Sequence, residues 1–227
     1  MISRRGIFAG LAVAPLAAAL DSAGGERSSA AAAAATTPKQ KFAHVSARES
    51  LRQRYFPNFE LTTSAGRKLR FYDDMLKDKI VVINMMYADC TGICPVTTAN
   101  LKRVRKLMEE RFTHDIFVYS LTVKPEEDTP RALKEYAEMH GVADDPKWLF
   151  LTGKPEEMDV IRHKIGFADP NPEVDRDKSR HSGMIRYGNE PACVWGSCQG
   201  SGEPEWIAQE IGFAIPREFK RNPAVNE

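Results

Sequence analysis

The sequence lacks the short motifs that mark several common enzyme and binding classes. No Gly-x-Ser-x-Gly motif occurs, which argues against acyl-transfer catalysis, and no glycine-rich phosphate-binding loop is present. Cys-x-x-Cys-His is also missing, which argues against covalent haem attachment. Excess charge is small, because 32 Lys and Arg against 31 Asp and Glu give a net charge of +1. A nucleic-acid-binding protein would show a clear basic excess, so we expect no nucleic-acid partner.

Long apolar runs are lacking as well, although residues 1–36 have the composition of a targeting segment. Arg4 and Arg5 precede the apolar stretch Ile7–Leu20, an order that resembles a twin-arginine export signal. That stretch has about 14 residues, fewer than the roughly 20 that span a bilayer. The first cysteine is Cys90, which argues against a lipoprotein anchor. We predict an export signal and an alanine-rich linker over residues 1–36, and a periplasmic protein. The alternative is a membrane tether, facing the periplasm, through an uncleaved signal.

The rest of the chain is predicted to hold one α/β domain. We divide it into an N-terminal extension (37–50), a domain (51–216) and a C-terminal tail (217–227). The apolar run Ile80–Met86 predicts a central strand buried on both faces. Apolar residues recur at helical spacing over Ala99–Arg111. Strands and helices keep alternating downstream, which indicates a sheet flanked by helices. The other predicted elements are a hairpin over Leu61–Phe71, strands over Ile116–Val123, Trp148–Leu151 and Gly183–Tyr187, and helices over Pro130–His140, Lys154–His163 and Trp206–Gly212.

The most informative motif places two cysteines between a predicted strand and a predicted helix. Cys90 and Cys94 follow the strand Ile80–Met86, and Val96–Arg111 is predicted as helix. The partial positive charge of a helix N-terminus lowers a thiol pKa and favours the thiolate, which is both a redox nucleophile and a ligand for soft ions such as Cu(I). Three residues separate the cysteines, one more than in a thioredoxin motif, which leaves room for a metal between the sulfurs. The alternative is a buried structural pair.

Several segments, taken in order, resemble the Sco/SenC family. The matching segments are the opening strand Phe56–Leu61, the strand and Cys-x-x-x-Cys-Pro signature over Val81–Pro95, the segment Ser120–Pro130, the turn Phe150–Gly153 and the segment Arg180–Ser182. The ordered set is far more specific than any one of these motifs. This resemblance implies an α/β fold with a thioredoxin-like central sheet flanked by helices, here with an N-terminal β-hairpin extension.

The same resemblance implies a copper site made of Cys90, Cys94 and His181. Members of the family deliver copper to cytochrome oxidase or act as thiol-disulfide reductants, and His181 matches the histidine that supplies the third copper ligand. The implied recipient is a respiratory oxidase subunit with a CuA site or another copper-accepting protein. Among the departures from the family, Lys124 and Arg180 stand where it has aspartates. A cation at position 180 lowers the pKa of His181 and disfavours a bound cation, so we expect a preference for Cu(I) over Cu(II).

A second pair of cysteines lies in a segment rich in glycine. Cys193 and Cys198 fall within Pro191–Gly200, which is predicted as a loop. Disulfides persist in an export compartment, so the sequence favours a local disulfide between these two residues. The alternatives are a second redox pair that exchanges with Cys90 and Cys94, and a separate metal site.

From sequence alone, three functions stay open. A copper chaperone for cytochrome oxidase assembly would hold Cu(I) on Cys90, Cys94 and His181 and need not be an enzyme. A thiol-disulfide oxidoreductase would cycle the same two cysteines between dithiol and disulfide to keep the cysteines of a partner reduced, with either one attacking first. A peroxidase, ranked last, would need a low-pKa cysteine supported by Arg180 or Arg186. Copper binding ranks first, and the first two functions can share one site.

Overall fold

One sheet of seven strands is the frame of the computed structural model, which describes residues 45–178 and 182–220. The strands are β1 (Glu60–Thr63), β2 (Lys68–Arg70), β3 (Ile80–Met86), β4 (Ile116–Thr122), β5 (Trp148–Thr152), β6 (Met184–Asn189) and β7 (Val194–Gln199). Their order across the sheet is β2-β1-β5-β4-β3-β6-β7. Strand β3 pairs in parallel with β4 and antiparallel with β6, so it lies inside the sheet with neighbours on both sides.

Helices cover both faces of this sheet. They are α1 (Ala47–Tyr55), a π-helical turn (Phe71–Leu76), α2 (Ile93–Arg111), α3 (Pro130–Met139), α4 (Pro155–Lys164), α5 (Pro172–Arg176), α6 (Pro204–Phe213) and a 3-10 turn (Arg217–Phe219). Side-chain caps begin three of them, and the one on α5 is Asn171, which accepts from the Glu173 N–H. Ser46 accepts a hydrogen bond from the Glu49 N–H at the start of α1, and Thr129 accepts one from the Ala132 N–H at the start of α3. Each cap satisfies a backbone donor that the helix itself leaves unpaired.

The sheet separates two apolar cores, because side chains along a strand point alternately to its two faces. In β3, Val82 and Met86 belong to the core beneath α2, α3 and α6, which we name the α2 face. Val81 and Ile83 belong to the core beneath the π-helical turn and α4, which we name the α4 face. All of β3 is buried, as expected for a strand that is covered on both sides.

The predicted fold class is confirmed, with one central sheet flanked by helices. The hairpin predicted over Leu61–Phe71 forms as β1 and β2, and it extends the sheet because β1 pairs antiparallel with β5. Helix α2 begins at Ile93 and not at the predicted Val96, so Cys94 lies in its first turn. Helix α1 is not predicted by the sequence pattern, because it has no buried residue and therefore no apolar stripe.

The prediction of a loop over Pro191–Gly200 is wrong, because most of this segment is the strand β7, which pairs antiparallel with β6. The glycines of this strand pair serve packing and not a turn. A Cβ atom on Gly188 would come within 2.2 Å of the Trp195 ring, and one on Gly196 within 2.5 Å of the Tyr187 ring. The two glycines therefore make room for aromatic rings that lie across the neighbouring strand, which is a use of glycine inside a sheet.

Within residues 45–178 and 182–220, no helix is both long and apolar enough to cross a membrane. The predicted export signal and linker over 1–36 fall outside the described residues, as does the end of the predicted tail, 221–227. The predictions for these segments therefore stay predictions.

Candidate dithiol site

The two cysteines of the Cys-x-x-x-Cys-Pro motif lie where β3 runs into α2. Strand β3 ends at Met86, the following loop carries Cys90, and Cys94 is in the first turn of α2. The parallel strands β3 and β4 end at this edge of the sheet, which is where α/β sheets commonly place a site. No side chain caps α2 at Gly92, so the backbone N–H groups at the start of the helix can donate to sulfur.

Cys90 and Cys94 differ in how readily they ionise. Burial opposes ionisation of Cys90, but hydrogen bonds from the Cys94 side chain, from the backbone of Cys94 and Gly92 and from the Tyr87 side chain outweigh it, so the pKa of Cys90 lies below its ordinary value. Burial, together with the hydrogen bond and charge of Cys90, raises the pKa of Cys94, which is only 1% exposed. Cys90 is therefore the cysteine of the pair that ionises more readily, and the Cys94 thiol is the one that keeps its proton and donates to it.

Tyr87 connects Cys90 to Lys124. Burial and the hydrogen bond to Cys90 raise the pKa of Tyr87 to about 12, so its hydroxyl keeps its proton and can donate to the sulfur. The Lys124 ammonium lies 4.5 Å from the centroid of the Tyr87 ring and 3.2 Å from Glu127 Oε2. The lysine that departs from the family pattern thus makes a cation–π contact at the site. From the sequence, Lys124 is recognisable only as a departure from the family pattern.

A buried carboxylate holds the loop that carries Cys90. Asp128 is 3% exposed, and both of its oxygens lie 3.1 Å from the backbone nitrogen of Ala88. The Thr122 hydroxyl also donates to it. Burial raises the pKa of Asp128, against the opposing effect of these hydrogen bonds. Sequence reasoning missed this role, because the contact joins residues 40 positions apart. The family resemblance of the segment Ser120–Pro130 is the signal that could have found it.

The substitution Asp128→Asn is expected to loosen this loop. In the variant an amide NH₂ group, which is a donor, replaces one of the two carboxylate oxygens. The Ala88 N–H, which lies 3.1 Å from both oxygens, then faces a donor in place of one of its acceptors. We expect the free energy of unfolding in urea to fall by about 1–3 kcal/mol, and the Ala88 amide to exchange its hydrogen faster. Asp89→Asn is the control, because Asp89 is exposed and the variant removes the same charge from the residue that follows Ala88. Equal destabilisation by the two variants would contradict the role given to Asp128.

The third predicted copper ligand, His181, lies outside the described residues, and so does its neighbour Arg180. Within the part that the structure describes, no group of three or more His, Cys, Asp or Glu side chains is arranged to hold a metal ion. Cys90 and Cys94 together offer two sulfur ligands, a set that suits the soft ion Cu(I). The complete set with His181 therefore stays a prediction.

The second cysteine pair is not brought together. Cys193 lies in the turn before β7, Cys198 lies within β7 opposite Ile185, and both thiols are free. An extended strand rises by about 3.3 Å per residue, which puts the two α-carbons roughly 15 Å apart, whereas a disulfide bridges at most about 7 Å. The predicted disulfide is therefore not formed in this structure, and β7 would have to unfold to make it.

A variant with Cys90 and Cys94 replaced by serine is consequently expected to hold two free thiols. In the folded protein the half-buried Cys193 should react with a maleimide, whereas Cys198, which is 8% exposed, should react only after unfolding. Mass spectrometry counts the labels, and the same variant with Cys193→Ser added should take none while folded. A count of zero after unfolding without a reductant would instead establish the disulfide.

Comparison with protein families gives a match to the SCO1/SenC family over residues 47–212. The matched range begins at the first residue of α1 and ends inside α6. It contains the whole sheet and both cysteines of the motif, and it covers more than half of the chain.

Individual proteins of known sequence or structure also match as Sco proteins, over a smaller share of this chain. The SCO1 protein homolog of Bacillus subtilis (strain 168) is 27% identical over 125 residues, which are 46% of this chain and 64% of that protein, so the match spans less than two thirds of the relative. BsSco, a member of the Sco family of cytochrome c oxidase assembly proteins with a disulfide switch, gives a TM-score of 0.57 at 23% identity, covering 71% of this chain and 93% of that one. Arabidopsis thaliana ScoI with copper bound gives a TM-score of 0.56 at 19% identity, and the match covers 71% of this chain and 97% of that one. These two likenesses establish the fold.

Proposed function

The chain belongs to the SCO1/SenC family, a family known for copper binding and cytochrome oxidase assembly, and from this premise we propose that it carries copper as cargo for a respiratory oxidase. Cu(I) is held by Cys90, Cys94 and His181 and is passed to the oxidase subunit that bears the CuA site, or to another copper-accepting protein. The main support is the contact between two cysteine side chains at the start of α2, one of which has a pKa below its ordinary value. A solved relative, the Arabidopsis thaliana protein, has copper bound.

The protonation of the two thiols bears on how copper is taken up. A thiol must lose its proton to become a metal ligand, so metal binding releases protons. The raised pKa of Cys94 means that this residue is protonated before copper arrives. Loading therefore releases the Cys94 proton to solvent, and the affinity for Cu(I) falls as the pH is lowered.

Anaerobic titration with Cu(I) tests this proposal. Reduced protein is expected to bind one copper per chain in competition with a chromophoric Cu(I) chelator. Protein with Cys90 and Cys94 oxidised to a disulfide is expected to bind none, because neither sulfur is then a thiolate. Equal binding by the two forms would overturn the proposed site.

The difference between the two thiols supports a second function, reduction of partner disulfides. The Cys90 thiolate attacks one sulfur of the partner disulfide, which forms a mixed disulfide and releases the other partner sulfur as a thiolate. Cys94 then loses its proton and attacks Cys90, so the partner leaves with two electrons and Cys90–Cys94 becomes a disulfide. As an enzyme, the protein would be a thiol-disulfide oxidoreductase that keeps the copper-site cysteines of its partner reduced.

The peroxidase alternative gains no support from Arg186. Its Nη2 donates to the Gly166 carbonyl at 2.9 Å, and its guanidinium lies over the Phe167 ring, which belongs to the core of the α4 face. Cys90 and Cys94 belong to the core of the α2 face, on the other side of the sheet. Arg180, the other arginine considered, lies outside the described residues.

We also propose that the protein works in the periplasm. The twin-arginine-like segment at the start of residues 1–36 supports export, after which the protein is either released or tethered to the membrane by an uncleaved signal. Cell fractionation, with the N-terminus of the purified protein sequenced, distinguishes these two outcomes. A cytoplasmic protein with an intact N-terminus would contradict export.

A further inference from the structure

A small cavity lies on the α4 face, across the sheet from the dithiol. Its volume is about 210 Å³. Helix α1 and the end of α4 form its walls, and strands β3 and β7 contribute to it from the sheet. The apolar and aromatic side chains that line it are those of Leu51, Tyr55, Phe56, Ile83, Ile165 and Trp195.

The same cavity is lined by a cation that pairs with no carboxylate of residues 45–178 and 182–220. Arg186, on β6, is half-buried and donates from Nη2 to the Gly166 carbonyl at 2.9 Å. Among the described residues this is its one hydrogen bond, because its buried Nε has no partner and no carboxylate pairs with its guanidinium. Lys164 also lines the cavity, and its ammonium donates to the backbone carbonyl of Arg54. The lining therefore carries two positive charges and no carboxylate.

Other arginines withdrawn from solvent in this protein are paired. Arg105, with a side chain 9% exposed, donates to both oxygens of Asp145 at 2.8 and 3.0 Å. Arg162, 7% exposed, donates to both oxygens of Asp175. Withdrawing a charge from water is costly unless an opposite charge and hydrogen bonds compensate it. The unpaired guanidinium of Arg186 beside an open cavity thus marks a place where an anion from outside would be stabilised.

We propose that this cavity binds a small organic monocarboxylate, with its apolar body against Tyr55, Phe56 and Trp195 and its carboxylate on Arg186. A guanidinium and a carboxylate form strong, directional hydrogen bonds. A free phosphate or sulfate fits less well, because the largely apolar walls would have to desolvate an anion that has no apolar part. The volume is below the roughly 300–1,000 Å³ of sites for drug-sized ligands, so the ligand has about the size of one aromatic ring or a short acyl chain.

The site is independent of the proposed copper site. The sheet lies between the cavity and the cysteines, and the proposal uses no residue of the dithiol loop. It can therefore fail or succeed whether or not the protein carries copper.

Benzoate is the probe that tests this proposal, and benzamide is its neutral counterpart. Titration of ¹⁵N-labelled full-length protein with benzoate is expected to shift the resonances of Gly166, the Arg186 side chain and the Trp195 indole N–H. For a ligand of this size we expect a Kd on the order of 1 mM. Benzamide should bind at least about 10-fold more weakly, because it lacks the charge. No shift up to about 10 mM benzoate, or equal affinities for the two probes, would overturn the proposal.

Two variants separate the charge from the shape of the cavity. Arg186→Gln removes the cation and should weaken benzoate binding at least about 10-fold, whereas Arg103→Gln, the control at a side chain 65% exposed outside the cavity, should leave it unchanged. Leu51→Trp fills the cavity from α1, keeps Arg186 and should abolish binding. Thermal unfolding shows whether each variant is folded. Undiminished binding by folded Arg186→Gln, or by folded Leu51→Trp, contradicts the assignment.

Discussion

Replacing Cys90 or Cys94 by serine is expected to abolish stoichiometric Cu(I) binding. Cu(I) is a soft ion that prefers thiolate ligands, and a serine hydroxyl is a hard, neutral group of nearly the same shape. With one sulfur left, the remaining thiolate and one imidazole hold the ion far less tightly than two thiolates do. We expect the affinity to fall by roughly 1,000-fold or more, which takes the protein below the range of a chelator competition assay.

Cys193→Ser is the matched control for this experiment. It makes the same chemical change at a cysteine that lies in the turn before β7, away from the start of α2. This variant should bind one Cu(I) per chain, as the unmodified protein does. If either Cys90→Ser or Cys94→Ser still binds one Cu(I) per chain, the ion is not held by these two cysteines.

Cys90 is expected to be the attacking thiol and Cys94 the resolving one. The Cys94→Ser variant should form a stable mixed disulfide with oxidised glutathione, because its Cys90 keeps the backbone donors and Tyr87, and no second thiol displaces the glutathione. The Cys90→Ser variant should react roughly 100-fold more slowly at pH 7, because Cys94 is buried and its raised pKa disfavours the thiolate.

The pH dependence of the reaction gives a second measurement. The reactive species is the thiolate, so the rate for Cys94→Ser should fall as the pH is lowered through the pKa of Cys90. Its midpoint should lie below the ordinary thiol value of about 8.5, because the backbone donors and Tyr87 remain and the serine hydroxyl replaces the Cys94 thiol as a donor. Stopping the reaction with acid and weighing the products by mass spectrometry gives both rates. The assignment of the two roles would be contradicted if Cys90→Ser reacted faster than Cys94→Ser. It would also be contradicted if the pH midpoint for Cys94→Ser lay above the ordinary thiol pKa.

Local sequence patterns predicted the elements whose burial follows a simple period. The continuous apolar run of β3 and the helical spacing within α2 are both found in the structure, because each is dictated by neighbouring residues alone. The start of α2 was placed too late, since Cys94 and Pro95 carry no strong helix signal, although proline is well suited to a first turn. That difference matters, because the earlier start puts Cys94 inside the helix.

Features that depend on contacts between distant segments were not predictable in this way. Asp128 acts on the loop before Cys90 from beyond β4, and only the folded sheet brings the two together. The sequence of β7 predicts a loop, but its Gly196 makes room for the Tyr187 ring of β6 and forms no turn. The expected Cys193–Cys198 disulfide depended on that loop, so the same misinterpretation accounts for both differences.

The copper environment in the loaded protein tests the central claim most directly. X-ray absorption at the copper edge of protein carrying one Cu(I) should show two sulfur ligands and one nitrogen, from Cys90, Cys94 and His181. In His181→Ala the nitrogen should disappear while both sulfurs stay, and the dithiol should still reduce a disulfide probe. A first shell with fewer than two sulfurs in the unmodified protein, or one that His181→Ala leaves unchanged, would contradict the proposed site.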